Sequence, residues 1–426
     1  MLQIQTLREQ RDEILARLAA RGGQDYTNLI DQAIDLDKKK RETQAETDAL
    51  LAEMNKASKE IGALMKQGLR DEAEAAKAAV AAIKSKAQDK KQEFGNIEES
   101  LREVLYQIPN APHHSVPKGN SDEDNEEIFS EGDFPNLGEF DSPHWDLAET
   151  YRLIDFQTGV KITGAGFPLY TGKGAKLQRA LINFFLDEAD KAGYLELIPP
   201  FVVNEDSGFG TGQLPDKEGQ MYHVTEDDLY LIPTAEVPIT NVYRDVIVDR
   251  NQFPIKHCGY SPCFRREAGS YGKDVRGLNR LHQFEKVEIV QIAHPDTSYD
   301  LLDEMVEHVK GLMRKLELPY RILRLCGGDL GFAAALTFDF EVYSAAQKKW
   351  LEVSSVSNFE AFQANRLKCR YRTENKKTQL VHTLNGSAMA LPRIMAALLE
   401  NNQKENEILI PAALQQYTGF KSIEKK

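Results

Sequence analysis

The chain has 426 residues, more than one hydrophobic core usually serves, so we expect two domains or one large domain with an appendage. Its 53 Lys and Arg against 66 Asp and Glu give a net charge of -13, which excludes a globally basic nucleic-acid-binding protein but not local basic patches. The N-terminus lacks the apolar region of a signal peptide, and no apolar run approaches the roughly 20 residues of a membrane helix. We therefore expect a cytoplasmic protein that does not enter a membrane.

A proline-free stretch from about residue 38 to 108 carries apolar residues at alternating spacings of four and three. Two such heptad seams, separated at Gly68 and interrupted only by Lys90, predict an antiparallel hairpin of two helices. Residues 38–107 hold 14 Lys and Arg against 13 Asp and Glu, so the hairpin is nearly neutral. Two interpretations remain open: a solvated coiled coil that dimerises or acts as a spacer, and a projection that contacts a partner.

An acidic segment follows the hairpin. Residues 121–150 contain 11 Asp and Glu and no Lys or Arg, and the surrounding stretch from 111 is rich in proline and glycine. This composition is typical of a linker. We therefore divide the chain into an N-terminal domain, residues 1–110, and a second domain, residues 111–426, that begins with the acidic segment.

Beyond residue 150 the pattern changes to mixed helix and strand. The strand-like runs are "LELIPPFVV", "LYLIPTAEVPI", "YSPCFRRE", "HQFEKVEIVQI", "LTFDFEVY", "WLEVSSVSN" and "QLVHTLNG". Because they do not alternate regularly with helices, they predict an α+β fold built on an antiparallel sheet with flanking helices. Asn385–Gly386 is expected to form a turn, followed by a helix that begins near Arg393.

The runs "FRRE" and "HQFEKVEIV" carry positive charge and polar residues on one face. With a period of two, Arg265 and Glu267 share a face of one strand, and Phe284, Lys286 and Glu288 share a face of the next. If the strands pair through the loop 268–279, this face combines arginine for phosphate, a ring for a base and carboxylates. A nucleotide-binding floor is the functional interpretation, and a surface ladder of ion pairs is the alternative.

A second polar strand and the cysteines bear on metal binding. In "LEVSS", a regular strand puts Glu352 and Ser354 on one face and Val353 and Ser355 on the other, and a carboxylate beside hydroxyls suits Mg²⁺. The four cysteines, Cys258, Cys263, Cys326 and Cys369, lack the spacing of zinc ligands. We expect no zinc site.

Five stretches carry a family resemblance. "GYLELIPP" is similar to class II motif 1, "FRREAGSYGKDVRGLNRLHQF" to motif 2 and "LNGSAMALPR" to motif 3. "PTAEVPITN" and "EVSSVSNFEAFQANR" are similar to stretches distinctive of one family. With the N-terminal hairpin, the chain resembles bacterial-type seryl-tRNA synthetases over essentially its whole length. The resemblance implies the class II synthetase fold with a two-helix coiled-coil arm.

The resemblance implies an ATP site. In it, Arg265 holds the α-phosphate, Glu267 meets the adenine amino group, Phe284 stacks on the base, and Arg280 and Arg393 hold the outer phosphates. The full implied set is Arg265, Arg266, Glu267, Arg280, Leu281, Phe284, Glu352, Val353, Ser354, Ser355 and Arg393. The implied catalytic residues are Arg265, Glu352 and Arg393, and the implied Mg²⁺ ligands are Glu352 and Ser355.

The resemblance also implies a serine site. Thr234 and Glu236 belong to a loop over the amino acid, while Glu288 and Ser387 read its ammonium and hydroxyl groups. The implied set is Thr234, Ala235, Glu236, Arg265, Glu288, Asn385 and Ser387. The implied reaction is ATP-dependent formation of seryl-adenylate and transfer of serine to the 3′ end of tRNA(Ser), and also of tRNA(Sec). The hairpin would grip the tRNA across a homodimer that includes motif 1.

Two positions depart from the family pattern. Val356 stands where the family often has cysteine, and Leu336 stands where lysine is common. Two alternatives to the family's activity are an amino acid:carrier-protein ligase of the same fold and an inactive coiled-coil paralogue. The first lacks the long hairpin, which this chain has. The second should have lost Arg265, Glu288 or Arg393, and all three are present.

Overall fold

The computed structural model describes residues 1–216, 219–267 and 276–425, so most of the expected loop 268–279 lies outside the described residues. The chain divides into two compact units: one comprises residues 2–16 and 24–109, and the other comprises residue 1 with residues 17–23 and 110–426. Within the described ranges, no helix is long and apolar enough to cross a membrane.

The helices of the described residues fall in both units. In chain order they are α1 (Ile4–Glu9), α2 (Arg11–Leu18), α3 (Thr27–Lys66), α4 (Arg70–Leu105), α5 (His144–Thr150), α6 (Phe156–Ile162), α7 (Gly172–Lys191), α8 (Glu205–Thr211), α9 (Glu236–Asn241), α10 (Ser298–Lys315), α11 (Phe362–Leu367), α12 (Leu391–Asn401) and α13 (Ala412–Thr418).

The strands of the described residues belong to the second unit. In chain order they are β1 (Glu126–Glu131), β2 (Ile154–Asp155), β3 (Leu169–Tyr170), β4 (Leu195–Glu196), β5 (Val202–Asn204), β6 (His223–Val224), β7 (Leu229–Leu231), β8 (Ile247–Val248), β9 (Ile255–Phe264), β10 (Gln283–Ala293), β11 (Tyr320–Arg324), β12 (Leu336–Ser344), β13 (Lys349–Asn358), β14 (Arg370–Arg372), β15 (Thr378–Leu380), β16 (His382–Ala390), β17 (Glu407–Leu409) and β18 (Ser422–Glu424).

The first unit is dominated by the hairpin of α3 and α4, with 40 and 36 residues, which confirms the predicted coiled-coil arm. The chain reverses at Gly68, whose φ of 78° is the left-handed conformation that favours glycine. Lys90 interrupts the apolar seam at little cost because its ammonium lies 2.7 Å from the Glu46 carboxylate of α3. The arm begins at Thr27, well before the predicted residue 38.

The second unit is built on a large sheet, which confirms the predicted α+β fold with an antiparallel sheet and flanking helices. Among the described residues the strand order is β1-β11-β12-β13-β16-β10-β9-β4, antiparallel except for the edge pair of β4 and β9. The main hydrophobic cluster joins one face of this sheet to α7, α10 and α12, as in Val287, Ile289, Phe340, Phe184 and Met305. The opposite face of its central strands is left for polar residues.

Three segments differ from their sequence-based interpretation. Residues 121–150, treated as a linker, contain the edge strand β1 and helix α5. The run "LYLIPTAEVPI" is a strand only over β7, and its second half enters helix α9. The expected turn at Asn385–Gly386 is wrong, because β16 runs straight through both residues and pairs with β10 and β13. A Cβ at Gly386 would lie 3.2 Å from Val356 and Met305 side-chain atoms, so the strand packs tightly at this glycine.

Candidate active site

The candidate site lies on the polar face of strands β9, β10, β16 and β13. In β10, Lys286 and Glu288 pair with Ser261 and Gly259 of β9 in regular register, so alternate residues share a face. Glu288 also pairs directly with Ser387 of β16. Val287 and Ile289 are fully buried in the hydrophobic cluster on the other face, as their alternation predicts. The regular pairing explains why the period of two describes β10 correctly.

The Glu288 carboxylate is the centre of a buried polar cluster. Its side chain is 1% exposed, and one oxygen lies 2.6 Å from the Lys286 ammonium. The Thr234 hydroxyl donates to that same oxygen at 3.1 Å, and the Asn385 amide donates to the other oxygen at 3.2 Å. Three partners from β10, β16 and the segment before α9 therefore hold this charge in place where water is excluded.

A second carboxylate, Glu236, lies close to the first. Burial and the nearby Glu288 charge raise the pKa of Glu236 to about 7, against the opposing effects of a Gln363 hydrogen bond and of Lys286. Gln363 donates to Glu236 at 2.6 Å and accepts from the Thr383 hydroxyl at 2.6 Å. Sequence reasoning missed the role of Gln363, although the residue lies inside the stretch "FEAFQANR" that carries the family resemblance.

Arg265, Arg266 and Glu267 lie just past the end of β9. Arg265 continues the pairing for one step, since its amide donates to the His282 carbonyl at 2.9 Å. Its guanidinium lies over the Phe284 ring, 5.2 Å from the centroid. Glu267 has a φ of 49°, so the predicted strand geometry of "FRRE" is wrong at its end. The Arg266 backbone amide donates a hydrogen bond to the Gln220 carbonyl at 2.8 Å. The Arg266 residue is exposed, unlike Arg265 and Glu267.

Two further arginines flank this group. Arg280 donates to the Glu267 carboxylate at 2.5 Å, which links the two sides of the motif 2 segment. Arg393, in the first turn of α12, donates to the Asn279 carbonyl at 3.1 Å and to the Glu352 carbonyl at 2.7 Å. Arg393 therefore connects the segment before β10 to strand β13. The predicted Leu281 side chain is buried in the core, and only its backbone is left for a ligand.

A β-bulge in β13 rearranges the predicted metal-binding strand. Phe340 of β12 pairs with Ser354, but Glu341 pairs with Glu352, so Val353 is the extra residue. The predicted pairing of Glu352 with Ser354 on one face is therefore wrong. Ser355 pairs with Asp339, two residues before Glu341, which brings Glu352 and Ser355 to the same face. Val353 is buried in the hydrophobic cluster, and the Ser354 hydroxyl donates to the Ser387 carbonyl.

The bulge also brings two unpredicted carboxylates to the Glu352 face. Burial and the charge of Glu352 raise the pKa of Asp339 well above its ordinary value, and a hydrogen bond from Ser355 opposes the rise. Burial likewise raises the pKa of Glu341, against the lowering effect of Arg321. One oxygen of Asp339 is buried without a hydrogen-bond partner in the described part of the chain. The pattern of "LTFDFEVY" predicts only a strand and does not indicate that its acids belong to the site.

The two departures from the family pattern lie inside the sheet. Val356 is fully buried and pairs with Gly386, while Leu336 is 4% exposed and pairs with Asn358. Both side chains belong to the hydrophobic cluster. Ala235, which the resemblance placed in the serine site, is also fully buried and packs with Ile239 and Val290. These three positions contribute shape and packing rather than polar contacts.

Comparison with known proteins identifies relatives for both parts of the chain. Residues 221–402 match the family "tRNA synthetase class II core domain (G, H, P, S and T)", and residues 1–112 match "Seryl-tRNA synthetase N-terminal domain". A serine–tRNA ligase of Salinibacter ruber is 49% identical over 99% of both chains. One from Geobacter sulfurreducens is 44% identical over 98% of this chain and 99% of its own.

Solved structures agree with these matches. The seryl-tRNA synthetase of Pyrococcus horikoshii, solved as a complex with ATP, superposes with a TM-score of 0.91 at 33% identity and covers 100% of both chains. The cytoplasmic serine–tRNA ligase of Naegleria fowleri, solved with AMP, gives a TM-score of 0.87 at 26% identity, with 100% of this chain and 99% of that chain covered.

Proposed function

Since this chain belongs to the seryl-tRNA synthetase family and is a class II serine–tRNA ligase, we propose that it activates L-serine with ATP to seryl-adenylate and then transfers serine to the 3′ end of tRNA(Ser). The observation that carries the proposal is the buried Glu288 cluster on the same sheet face as the Arg265–Phe284 pair. One face thus offers a site for a small polar amino acid beside a site for a nucleotide.

The amino acid site suits serine because it presents buried charges and hydroxyls. Glu288 supplies negative charge for the α-ammonium group, with the Glu236 carboxyl close by. The Thr234 hydroxyl donates to Glu288 and accepts from the Glu236 backbone amide. Ser387, which pairs with Glu288 across the strands, is available for the side-chain hydroxyl of the substrate. Alanine or glycine would leave buried polar groups without partners, and this is costly enough to give strong discrimination.

The nucleotide site suits ATP because its cations match the phosphates and its ring matches the base. The forked guanidinium of Arg265 is suited to the α-phosphate and to the serine carboxylate. Phe284 offers a face to adenine, and Glu267 an acceptor for the adenine amino group. Arg280 and Arg393 are assigned to the outer phosphates. That the Pyrococcus horikoshii relative was solved with ATP supports this assignment.

The donor set beside the arginines fits Mg²⁺. Glu352 and Ser355 offer hard oxygen donors on one face, and the buried Asp339 oxygen has no partner among the described residues. Within those residues, no group of three or more His, Cys, Asp or Glu side chains converges to hold a metal by itself. This fits Mg²⁺, which is usually held by one or two carboxylates together with substrate phosphates. When bound, the ion would neutralise phosphate charge.

The first step needs little covalent chemistry from the protein. A carboxylate oxygen of serine attacks the α-phosphorus, a new P–O bond forms, and the bond to the β-phosphate breaks with release of pyrophosphate. Arg265 orients both reactants and stabilises the charge that develops on the α-phosphoryl oxygens. In the second step, a terminal ribose hydroxyl of the tRNA attacks the serine carbonyl, AMP leaves, and the hydroxyl proton is lost.

The two remaining proposed partners are tRNA, at the α3–α4 hairpin, and a second copy of the chain, at the exposed apolar residues Leu195 and Ile198. We assign the α3–α4 hairpin to tRNA(Ser), and by family likeness to tRNA(Sec), because a nearly neutral arm suits shape and backbone contacts rather than base reading. Leu195 and Ile198 of motif 1 are 63% and 86% exposed, as expected of residues that a second copy would cover in a homodimer.

The test measures the two steps separately. The purified protein is assayed for serine-dependent exchange of pyrophosphate into ATP and for charging of purified tRNA(Ser) with labelled serine, both with Mg²⁺. Activity in both assays is expected. Exchange without charging would reject the proposed acceptor and the role of the hairpin. Failure of both assays would reject the proposal, and threonine and alanine serve as control substrates.

A further inference from the structure

A buried hydrogen-bond network outside the assigned site connects helix α5 to the segment before β10. His144, the first residue of α5, is fully buried, and its Nε2 accepts a hydrogen bond from the Leu278 amide at 2.8 Å. Its Nδ1 lies 2.7 Å from the Glu400 carboxylate, which is also fully buried. Because Nε2 accepts from an amide, Nδ1 carries the proton and donates it to Glu400.

The Glu400 carboxylate is held by several elements at once. The His144 backbone amide donates to it at 2.9 Å, the Gln347 amide donates at 2.8 Å, and the Ser344 hydroxyl donates to its second oxygen. The same Gln347 side chain accepts from the Asn279 side chain at 3.0 Å. The network therefore reaches the segment before β10 twice, once through the backbone and once through a side chain.

That segment carries the phosphate-binding groups of the proposed ATP site. The Asn279 carbonyl accepts from Arg393 at 3.1 Å, and Arg280 is the next residue along the chain. Helix α12 contains both Arg393 and Glu400, so both ends of the network are fixed to one rigid element. Gly277 packs tightly against the imidazole, since a Cβ there would lie 2.2 Å from His144 Nε2.

We propose that His144 is a positioning residue for ATP, which it serves by holding the backbone at Leu278 so that Arg280 and Arg393 face the phosphates. The inference rests on the proposed function of the neighbouring site. An arginine displaced by a fraction of an ångström orients phosphates less well, so a buried histidine with both ring nitrogens hydrogen-bonded is suited to hold the arginines in place. His144 itself touches neither substrate.

Two substitutions at His144 separate this role from simple packing. His144→Asn keeps a donor near the place of Nδ1 for Glu400 but loses the acceptor for the Leu278 amide. His144→Gln places an amide oxygen near Nε2, so it keeps the acceptor and gives up the Glu400 bond. If His144 positions the ATP site, His144→Gln should have a lower KM for ATP than His144→Asn. If His144 serves only to satisfy Glu400, His144→Asn should have the lower KM.

The measurement is serine-dependent pyrophosphate exchange with ATP and serine varied in turn. His144→Asn is expected to raise the KM for ATP about tenfold, because a buried amide loses its partner, and to leave the KM for serine within about twofold. His144→Gln is expected to raise the KM for ATP by less than about threefold. Equal effects of the two variants, or equal rises in both KM values, would overturn the proposal.

Controls guard against a folding defect and against failure of the proposed function. His308→Asn changes a half-buried histidine, whose buried Nε2 has no partner among the described residues, and is expected to leave the KM for ATP unchanged. If His144→Asn does not fold, Gln347→Leu cuts only the side-chain route, and a folded Gln347→Leu with an unaltered KM for ATP counts against the proposal. Absence of exchange in the wild-type protein would instead reject the proposed function.

Discussion

The proposed amino acid pocket around Lys286 and Glu288 and the proposed nucleotide floor, with Arg280, Arg393 and Glu352, lie on one sheet face. The two regions are built differently. In the pocket, the Lys286 and Glu288 side chains are 8% and 1% exposed and form an ion pair with each other. On the floor, the side chains of Arg280, Arg393 and Glu352 are 40%, 29% and 51% exposed. The pocket is a buried polar network joined by hydrogen bonds and an ion pair, and the floor is a set of accessible charges that neutralise one another.

The difference suits the two tasks. Selection of serine against similar amino acids needs buried groups that the wrong ligand leaves unsatisfied. The polar groups of the pocket must therefore be desolvated and preorganised before serine binds. The phosphates of ATP are negatively charged and bind together with a metal ion. The floor therefore needs cations that can leave their carboxylate partners and bind phosphate instead. A partly exposed ion pair such as Arg280–Glu267 contributes less than a buried one and is more readily exchanged.

The largest effect is expected from Glu288→Ala. Removal of this carboxylate leaves Lys286 buried without its partner, and breaking a buried ion pair costs about 3–5 kcal/mol. Both the free energy of unfolding and kcat/KM for serine should fall, the latter by about 10³-fold. Chemical denaturation and pyrophosphate exchange measure the two quantities. A variant that keeps wild-type stability and serine use would contradict a pre-built pocket, and Glu288→Gln is the matched control that keeps the shape.

Arg265→Lys should separate catalysis from stability on the floor. Lysine keeps the charge but loses the planar fork and the contact with Phe284, so kcat should fall about 10²-fold. The free energy of unfolding should change by less than about 0.5 kcal/mol, because Arg265 is only half-buried. Single-turnover formation of adenylate and thermal denaturation are the measurements. A loss of stability as large as that expected for Glu288→Ala would show that the floor contributes to the free energy of unfolding as the pocket does.

The pocket should make stability depend on pH through Glu236. Its folded pKa of about 7 lies above the ordinary 4.5, so the folded protein binds a proton that the unfolded chain releases between these values. The stabilising contribution is full below about pH 4.5 and is lost as the pH rises to 7, by roughly 3 kcal/mol at most. Unfolding free energies of the wild type and of Glu236→Gln at pH 5 and 8 test this. Parallel curves for the two proteins would contradict it.

The smallest effect on activity is expected from Glu267→Gln. Its partner Arg280 is well exposed, so loss of the ion pair should change the free energy of unfolding by less than about 1 kcal/mol. The KM for ATP should nevertheless rise a few-fold, since the carboxylate is assigned to the adenine amino group. Titration of ATP by calorimetry and denaturation at two salt concentrations provide the comparison. A stability loss above 2 kcal/mol, on the order of a buried pair, would place Glu267 with the pocket.

The parts of the molecule that could be predicted are those with a regular repeat. The heptad seams around Gly68 predicted the hairpin, and strict alternation in β10 put Lys286 and Glu288 on one face. In both cases a residue's direction follows from its spacing along a regular element. The family resemblance added roles for these residues but not their geometry.

The predictions that failed lie where the repeat is broken by contacts with distant residues. The bulge at Val353 places Glu352 and Ser354 on opposite faces of the sheet. No local sequence signal marks the bulge, because it depends on the register with β12. Asn385–Gly386 has the composition of a turn, yet pairing on both sides keeps it in β16. Glu267 leaves the strand at a φ that alternation does not anticipate.

By itself, then, the sequence determined the two-helix arm, the antiparallel α+β class and the polar face of β10, because short-range periodicity specifies regular elements. Only the tertiary structure decided which carboxylates stand beside Glu352, how Gln363 holds Glu236, and that His144 meets Leu278 across 134 residues. These contacts depend on strand register and on burial, which are properties of the assembled sheet and its helices rather than of any single stretch of the chain.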